Sequence, residues 1–149
     1  MADYRGFTLT NYFSVIDEER FRRLMAECAV NGEPIEIFER ENETGKSIKF
    51  GFGCYGSIVG IKEHCENEEV FHNDDDEDYS HDTFCNELQK VIARDDAILI
   101  TEVGYEKLRY LIGCSTIITR SSIETVSLKS KSLDVAREML ANPSFLFDC

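Results

Sequence analysis

The sequence lacks any C-x-x-C pair, the arrangement found in many thiol redox sites and zinc sites. Its six cysteines stand singly along the chain, at Cys28, Cys54, Cys65, Cys85, Cys114 and Cys149. Isolated cysteines in a reducing cytosol behave mostly as small, buried, apolar residues. The spacing therefore argues against a disulfide framework.

Long apolar runs are also missing. No stretch approaches the roughly 20 apolar residues that a membrane-spanning helix needs. The first ten residues have neither the basic region nor the apolar region of a signal peptide. We therefore expect a soluble protein that works in the cytoplasm.

Recognisable catalytic motifs are a third absence. The sequence contains no P-loop, no H-E-x-x-H, no kinase-like motif set and no Ser-His-Asp arrangement. Acidic pairs such as Asp95-Asp96 stand where turns and helix caps favour them in any case. We expect a protein that is not an enzyme.

Basic residues are scarce relative to acidic ones. The chain has 16 Lys and Arg against 29 Asp and Glu, which gives a net charge of -13. Segment 63–82 contains many of the acidic residues and no Lys or Arg. Such a field repels nucleic-acid phosphates and anionic lipid and attracts basic protein surfaces. Direct binding to nucleic acid or membrane is not expected.

The remaining pattern predicts one α+β domain over residues 1–149, with three helices and a mostly antiparallel sheet. Asp17 is expected to cap a helix carrying Phe21, Leu24 and Met25 on its apolar side, and a second helix begins near Ser80 or Asp82. Segment 6–16 alternates as a strand that places Phe7, Leu9, Phe13 and Val15 on one side. A last helix is predicted after a Ser132 cap, with Val135, Ala136, Met139 and Leu140 facing inward.

The order helix, strand, turn, long strand occurs twice, in segments 1–62 and 83–149, on either side of the acidic segment 63–82. Aligning the two places Gly53-Cys54 on Gly113-Cys114. Two interpretations stay open: an internal duplication, or two generic helix-strand-strand units in one domain.

The stretch "GFGCYGS" (51–57) contains a literal G-x-G-x-x-G. A phosphate-binding loop of this type requires a helix directly after the glycines, whereas a β-branched stretch follows here. A nucleophile elbow would need glycine at the position of Phe52. Glycines inside a strand commonly mark a bend or a close approach of backbones. We therefore predict a long, kinked strand with Cys54 buried.

All three histidines lie within the acidic segment: His64, His72 and His81. His81 and Cys85 are four residues apart and can face one side of a helical turn. Together with His64 and Cys65 they form a candidate zinc site, although the spacing fits no standard zinc finger. The alternative is that these histidines lie in a loop without any ligand.

The acidic segment itself has two interpretations. A run of like charges is usually a solvated loop with no specific task. The alternative is that it occupies a basic groove of a nucleic-acid-handling protein, where its carboxylates replace phosphates on Lys and Arg. On that hypothesis the partner-binding residues are Glu66, Glu68, Glu69, Asp74, Asp75, Asp76, Glu77 and Asp78, with help from Asp95 and Asp96.

The stretches "YRGFTLTNYFSVIDEERF", "GFGCYGSIVGI" and "ITEVGYEKLRYLIG", in a small acidic chain, give it a general likeness to a class of proteins. It resembles the accessory proteins of phages and mobile elements of Gram-positive bacteria, some of which are anti-CRISPR or anti-restriction inhibitors. The resemblance implies a non-catalytic inhibitor that binds a nuclease or a nucleoprotein complex. The alternative is a structural or adaptor module stabilised by zinc.

Overall fold

The computed structural model describes residues 4–41, 45, 47–62, 79–108 and 110–146. Within them it contains eight strands and three helices, so the predicted α+β class is confirmed. In chain order the elements are β1 (Tyr4–Thr10), α1 (Glu18–Glu27), β2 (Ala29–Gly32), β3 (Glu36–Glu41), β4 (Ile48–Lys62), β5 (Tyr79–Ser80), α2 (His81–Val91), β6 (Ile98–Glu106), β7 (Tyr110–Ile118), β8 (Ile123–Ser127) and α3 (Leu128–Leu140).

The strands form one antiparallel sheet in the order β2-β4-β1-β6-β7-β8, and β3 and β5 also pair with β4. Strand β4 is central because it is 15 residues long and pairs with four other strands. The prediction for "GFGCYGS" is confirmed, since the whole stretch lies in β4 and Cys54 is buried.

The backbone of β4 is irregular at Gly56. Its φ of +130° is a conformation that side-chain-bearing residues rarely adopt. A Cβ at this position would also lie 2.1 Å from the carbonyl oxygen of Asn31 in β2. Glycine therefore allows β2 and β4 to approach each other closely at this position.

The first two helices begin where their caps predict. The Asp17 side chain accepts a hydrogen bond from the backbone N–H of Arg20, and Ser80 accepts one from Thr83. These bonds satisfy N–H groups that the first helical turn leaves without a partner. The buried core lies between these helices and one face of the sheet, and its fully buried members are Phe13, Phe21, Phe52, Phe84, Leu88, Val91, Ile92, Ile98 and Ile118.

The predicted face of the first strand is wrong. Phe13 is buried, but Phe7 and Leu9 are each 48% exposed, and Thr8 is the buried residue of β1. The reason is Asn11, whose side chain accepts from the N–H of Leu99 and donates to the carbonyl of Ala97. Regular pairing ends at Thr10, and the chain redirects Phe13 into the core.

The predicted last helix is present, but its predicted cap and its predicted buried side are wrong. Helix α3 begins at Leu128, with Ser127 rather than Ser132 as its cap. None of its residues is buried, and Met139 is 81% exposed. The apolar side that the sequence assigns to the core thus faces outward at Val135, Met139 and Leu140.

Candidate protein-binding site

The two faces of the sheet differ in chemistry, and the strand register shows how. Cys54, Thr8, Glu102 and Cys114 are cross-strand neighbours on β4, β1, β6 and β7. They form a lateral row on the inner face, which packs toward α1 and α2. Thr8 anchors this row, because its hydroxyl donates to the carbonyl of Gly56 at 2.9 Å.

The next row along the strands lies on the opposite, outer face. It consists of Tyr55, Phe7, Val103 and Gly113. Exposed apolar residues extend this row along the same strands, and together they comprise Phe7, Leu9, Tyr55, Leu99, Val103, Tyr105 and Leu111. We call this set the outer apolar face. Contiguous apolar surface of this kind is typical of interaction sites.

Helix α3 touches the outer face only at its edge. A Cβ on Gly113 would lie 3.3 Å from the Cβ of Leu128, the first residue of α3. Farther along the same row Tyr55 remains 68% exposed. The helix therefore leaves the β1 and β4 part of the outer apolar face open.

A groove of about 620 Å³ lies on this open part, in the range of about 300–1,000 Å³ typical of ligand pockets. Its lining is mainly apolar, with two carboxylates: Glu33 in the connection between β2 and β3, and Glu36 at the start of β3. The lining residues are Phe7, Thr8, Leu9, Glu33, Pro34, Ile35, Glu36, Phe38, Gly53, Cys54 and Tyr55. We call it the outer groove.

The cysteines of the described residues are not prepared for nucleophilic chemistry. Burial raises the pKa of Cys28 to about 12 and that of Cys85 to about 11. Burial also raises the pKa of Cys54 and of Cys114. A reactive cysteine needs a lowered pKa, because the thiolate is the nucleophile. These four thiols are protonated at neutral pH.

The structure brings together one pair of the predicted zinc ligands. The Sγ atom of Cys85 lies 3.6 Å from Nδ1 of His81, on the first turns of α2. His64 and Cys65 lie outside the described residues. Within the part of the chain that the structure describes, no group of three or more His, Cys, Asp or Glu side chains is arranged to hold a metal.

The acidic residues predicted to bind a partner, Glu66, Glu68, Glu69, Asp74, Asp75, Asp76, Glu77 and Asp78, also lie outside the described residues. Asp95 and Asp96, the two acids predicted to help them, differ in their contacts, and of the two it is Asp96 that forms hydrogen bonds within the fold. Its carboxylate accepts hydrogen bonds from the backbone N–H groups of Ser14 and Ala97. Asp95 is exposed.

Sequence reasoning missed the outer apolar face, although β6 contains the relevant signal. Ile98 and Ile100 alternate with Leu99, Val103 and Tyr105, so both faces of this strand carry large apolar residues. A strand with one face in water should alternate apolar with polar. Apolar residues on both faces indicate a second surface that binds something.

Comparison with known proteins gives no relative: no protein-family model matches the chain, and no curated protein or solved structure matches it at a significant level. Among the helices of the described residues, none has the length and apolar character needed to cross a membrane.

Proposed function

We propose that this protein is a non-catalytic inhibitor that works in the cytoplasm by binding a basic, nucleic-acid-handling protein of a host defence complex, in the manner of anti-CRISPR or anti-restriction proteins. The observation that carries the proposal is the outer apolar face, a broad surface that stays exposed within the described residues, on a chain with a net charge of -13. The first property favours contact with another protein, and the second favours a positively charged one.

The two properties would contribute differently to the complex. Carboxylates of the acidic segment would pair with Lys and Arg that otherwise hold phosphates, which speeds association and makes it sensitive to salt. Apolar contact does not depend on charge and would slow dissociation. Inhibition would follow because the partner's nucleic-acid groove is occupied.

A test compares the wild-type protein with an acidic-segment variant in which Asp74, Asp75, Asp76 and Asp78 become Asn and Glu77 becomes Gln. Immobilised protein captures partners from a Gram-positive lysate at about 50 mM and at about 500 mM salt. We expect the wild type to retain a basic protein that the higher salt removes, and the variant to retain much less of it. Added duplex DNA or guide RNA should compete for the captured protein.

The matched control changes the same number of charges elsewhere. Its exposed positions are Glu19, Glu27, Glu124, Asp134 and Glu138, each changed to its amide. Full capture by this control would assign the effect to the acidic segment. An equal loss of captured protein in both variants would mean that net charge alone is the cause. Undiminished capture by the acidic-segment variant would mean that the segment is only a solubilising loop.

A second proposal is a zinc-stabilised adaptor module, and the contact between Cys85 and His81 favours it. Zinc would need further ligands from His64, Cys65 or His72. Elemental analysis of protein purified with its thiols protected would decide the matter. About one zinc per chain, lost in the His81→Ala variant, supports this proposal, and a chain without zinc removes it.

A further inference from the structure

The floor of the outer groove is apolar and closely packed at Gly53. A Cβ at this position would lie 2.7 Å from the carbonyl oxygen of Thr8 and 3.0 Å from Cδ1 of Leu9. It would also lie 3.5 Å from Cε2 of Phe38. The side chains of Leu9 and Phe38 thus close over Gly53 and form part of the apolar floor of the outer groove.

The aromatic side chains beside this apolar floor are available to a partner. Phe7 and Tyr55 are directly paired across β1 and β4, and both are substantially exposed. Such rings offer apolar area at little cost in conformational entropy, and their faces attract cations. This part of the groove therefore suits both an apolar side chain and the stem of a Lys or Arg.

The rim of the groove is acidic. Glu33 and Glu36 are exposed, and neither forms an ion pair within the described part of the chain. The backbone of the rim is fixed, because the N–H of Glu33 donates to the carbonyl of Tyr55 at 2.9 Å. Two carboxylates on a fixed rim next to apolar floor select cations at defined positions.

We propose that the outer groove binds a short extended segment of the partner protein in which one large apolar side chain is flanked by Lys or Arg. The apolar side chain packs against Phe7 and Tyr55 in the groove, and the cations pair with Glu33 and Glu36. This inference rests on the proposed function for the basic character of the partner and adds a second contact, separate from the acidic segment. An acidic segment, or a second copy of this chain at -13, would meet like charges at the rim.

The probe is a phage-displayed library of random 12-residue peptides, selected on the immobilised full chain. The groove variant carries Phe7→Ser and Tyr55→Ser, and its control carries Met139→Ser and Leu140→Ser, which alter exposed apolar residues of α3 outside the outer apolar face. A second variant, Glu33→Gln with Glu36→Gln, changes the rim charge without changing volume. Thermal unfolding confirms that each variant is folded.

We expect the enriched peptides to contain an apolar residue flanked by Lys or Arg. The groove variant should bind such a peptide about tenfold or more weakly by fluorescence anisotropy, and the rim variant about fivefold more weakly with a flatter dependence on salt. The control should bind it as the wild type does. Binding should also persist in the acidic-segment variant, which separates this inference from the proposed function.

Several results would overturn the inference. They are the enrichment of acidic or uncharged peptides, the absence of any enriched peptide, and equal binding by the wild type and the groove variant. Analytical sedimentation can give a further contradictory result. If the wild type forms a dimer and the groove variant does not, the groove is a contact between two copies of the chain. If the inference fails while the acidic-segment variant still loses its partner, the proposed function stands without the groove.

Discussion

The hydroxyl of Tyr4 donates a hydrogen bond to Oε1 of Glu102 at 3.2 Å. The tyrosine ring reaches this carboxylate by lying over Gly6 and Gly104, which are directly paired on β1 and β6. Because neither glycine has a Cβ, the tyrosine side chain can occupy the space that the two Cβ atoms would fill. This arrangement closes the end of the inner face beyond the row that contains Thr8.

The two glycines under Tyr4 should respond differently to substitution. A Cβ on Gly104 would lie 2.2 Å from the Tyr4 hydroxyl, and its nearest neighbours all belong to that side chain. A Cβ on Gly6 would additionally lie 2.7 Å from the backbone oxygen of Val103. We expect each Gly→Ala variant to lose about 1–3 kcal/mol of unfolding free energy, as overpacking does.

A double-mutant cycle that combines each glycine variant with Tyr4→Ala distinguishes the two sites. Removing the ring should cancel most of the cost of Gly104→Ala, because only Tyr4 is in the way. The cost of Gly6→Ala should remain, because the Val103 backbone does not move. Urea unfolding of the six proteins measures all the terms, and equal rescue of both glycine variants would contradict the arrangement.

A second prediction concerns neighbouring aromatic residues on opposite faces of β4. Phe52 is fully buried, with its ring centroid 6.1 Å from those of Phe13 and Phe84. Phe52→Ala should cost about 3–5 kcal/mol of unfolding free energy, because it leaves a cavity that the core cannot fill. Tyr55→Ala, on the outer face, should change it by no more than about 0.5 kcal/mol. Comparable losses would mean that the outer apolar face is covered by the chain itself.

Much of the fold could be predicted because its signals are local. The caps at Asp17 and Ser80 depend on residues only three positions away, and the apolar spacing of α1 and α2 follows from helical periodicity. The glycine stretch in β4 was predictable for the same reason, since a phosphate loop needs a helix directly after it.

The rest depends on contacts between residues distant in sequence. The face of β1 that is buried is decided by Asn11, whose amide bonds to Ala97 and Leu99 in another part of the chain. Helix α3 has an apolar pattern that predicts burial, but it lies beside β7 and β8 and none of its described residues is buried. The outer groove was unpredictable because β1, β3 and β4 must first pair to form it.

A third prediction follows from the two ion pairs of Glu87. One of them, with Arg20, joins α1 to α2, and the other, with Lys90, lies within α2. Glu87 accepts hydrogen bonds from Lys90 at 2.9 Å and from Arg20 of α1 at 2.8 Å. These hydrogen bonds lower the pKa of Glu87 below its usual value of 4.5, and the bond from Lys90 has the larger effect. Because the folded-state pKa is the lower one, the stabilisation is complete above pH 4.5 and is lost as the pH falls through the folded value.

Glu87→Gln should therefore lower the melting temperature slightly at pH 7, by the equivalent of about 0.2–1 kcal/mol, since the pair is partly exposed. The difference from wild type should shrink in acid and also in high salt. Asp134→Asn, on the exposed surface of α3, serves as the control. A difference that stays constant down to strongly acidic pH would show that charge at Glu87 is not the cause.

The fourth prediction uses the buried thiols of Cys28 and Cys85, whose pKa values burial raises to about 12 and about 11. Because the folded state holds these protons more tightly than the unfolded chain, its stability should be constant up to about pH 9 and fall as the pH rises toward those values. Chelator-treated protein with Cys65→Ser and Cys149→Ser, which leaves only the thiols of the described residues, should react slowly with iodoacetamide at pH 7.5 and fully in guanidinium chloride. Reaction of Cys85 in the folded protein at the rate of an exposed cysteine would mean that its thiolate is stabilised, and would place reactive chemistry beside His81 after all.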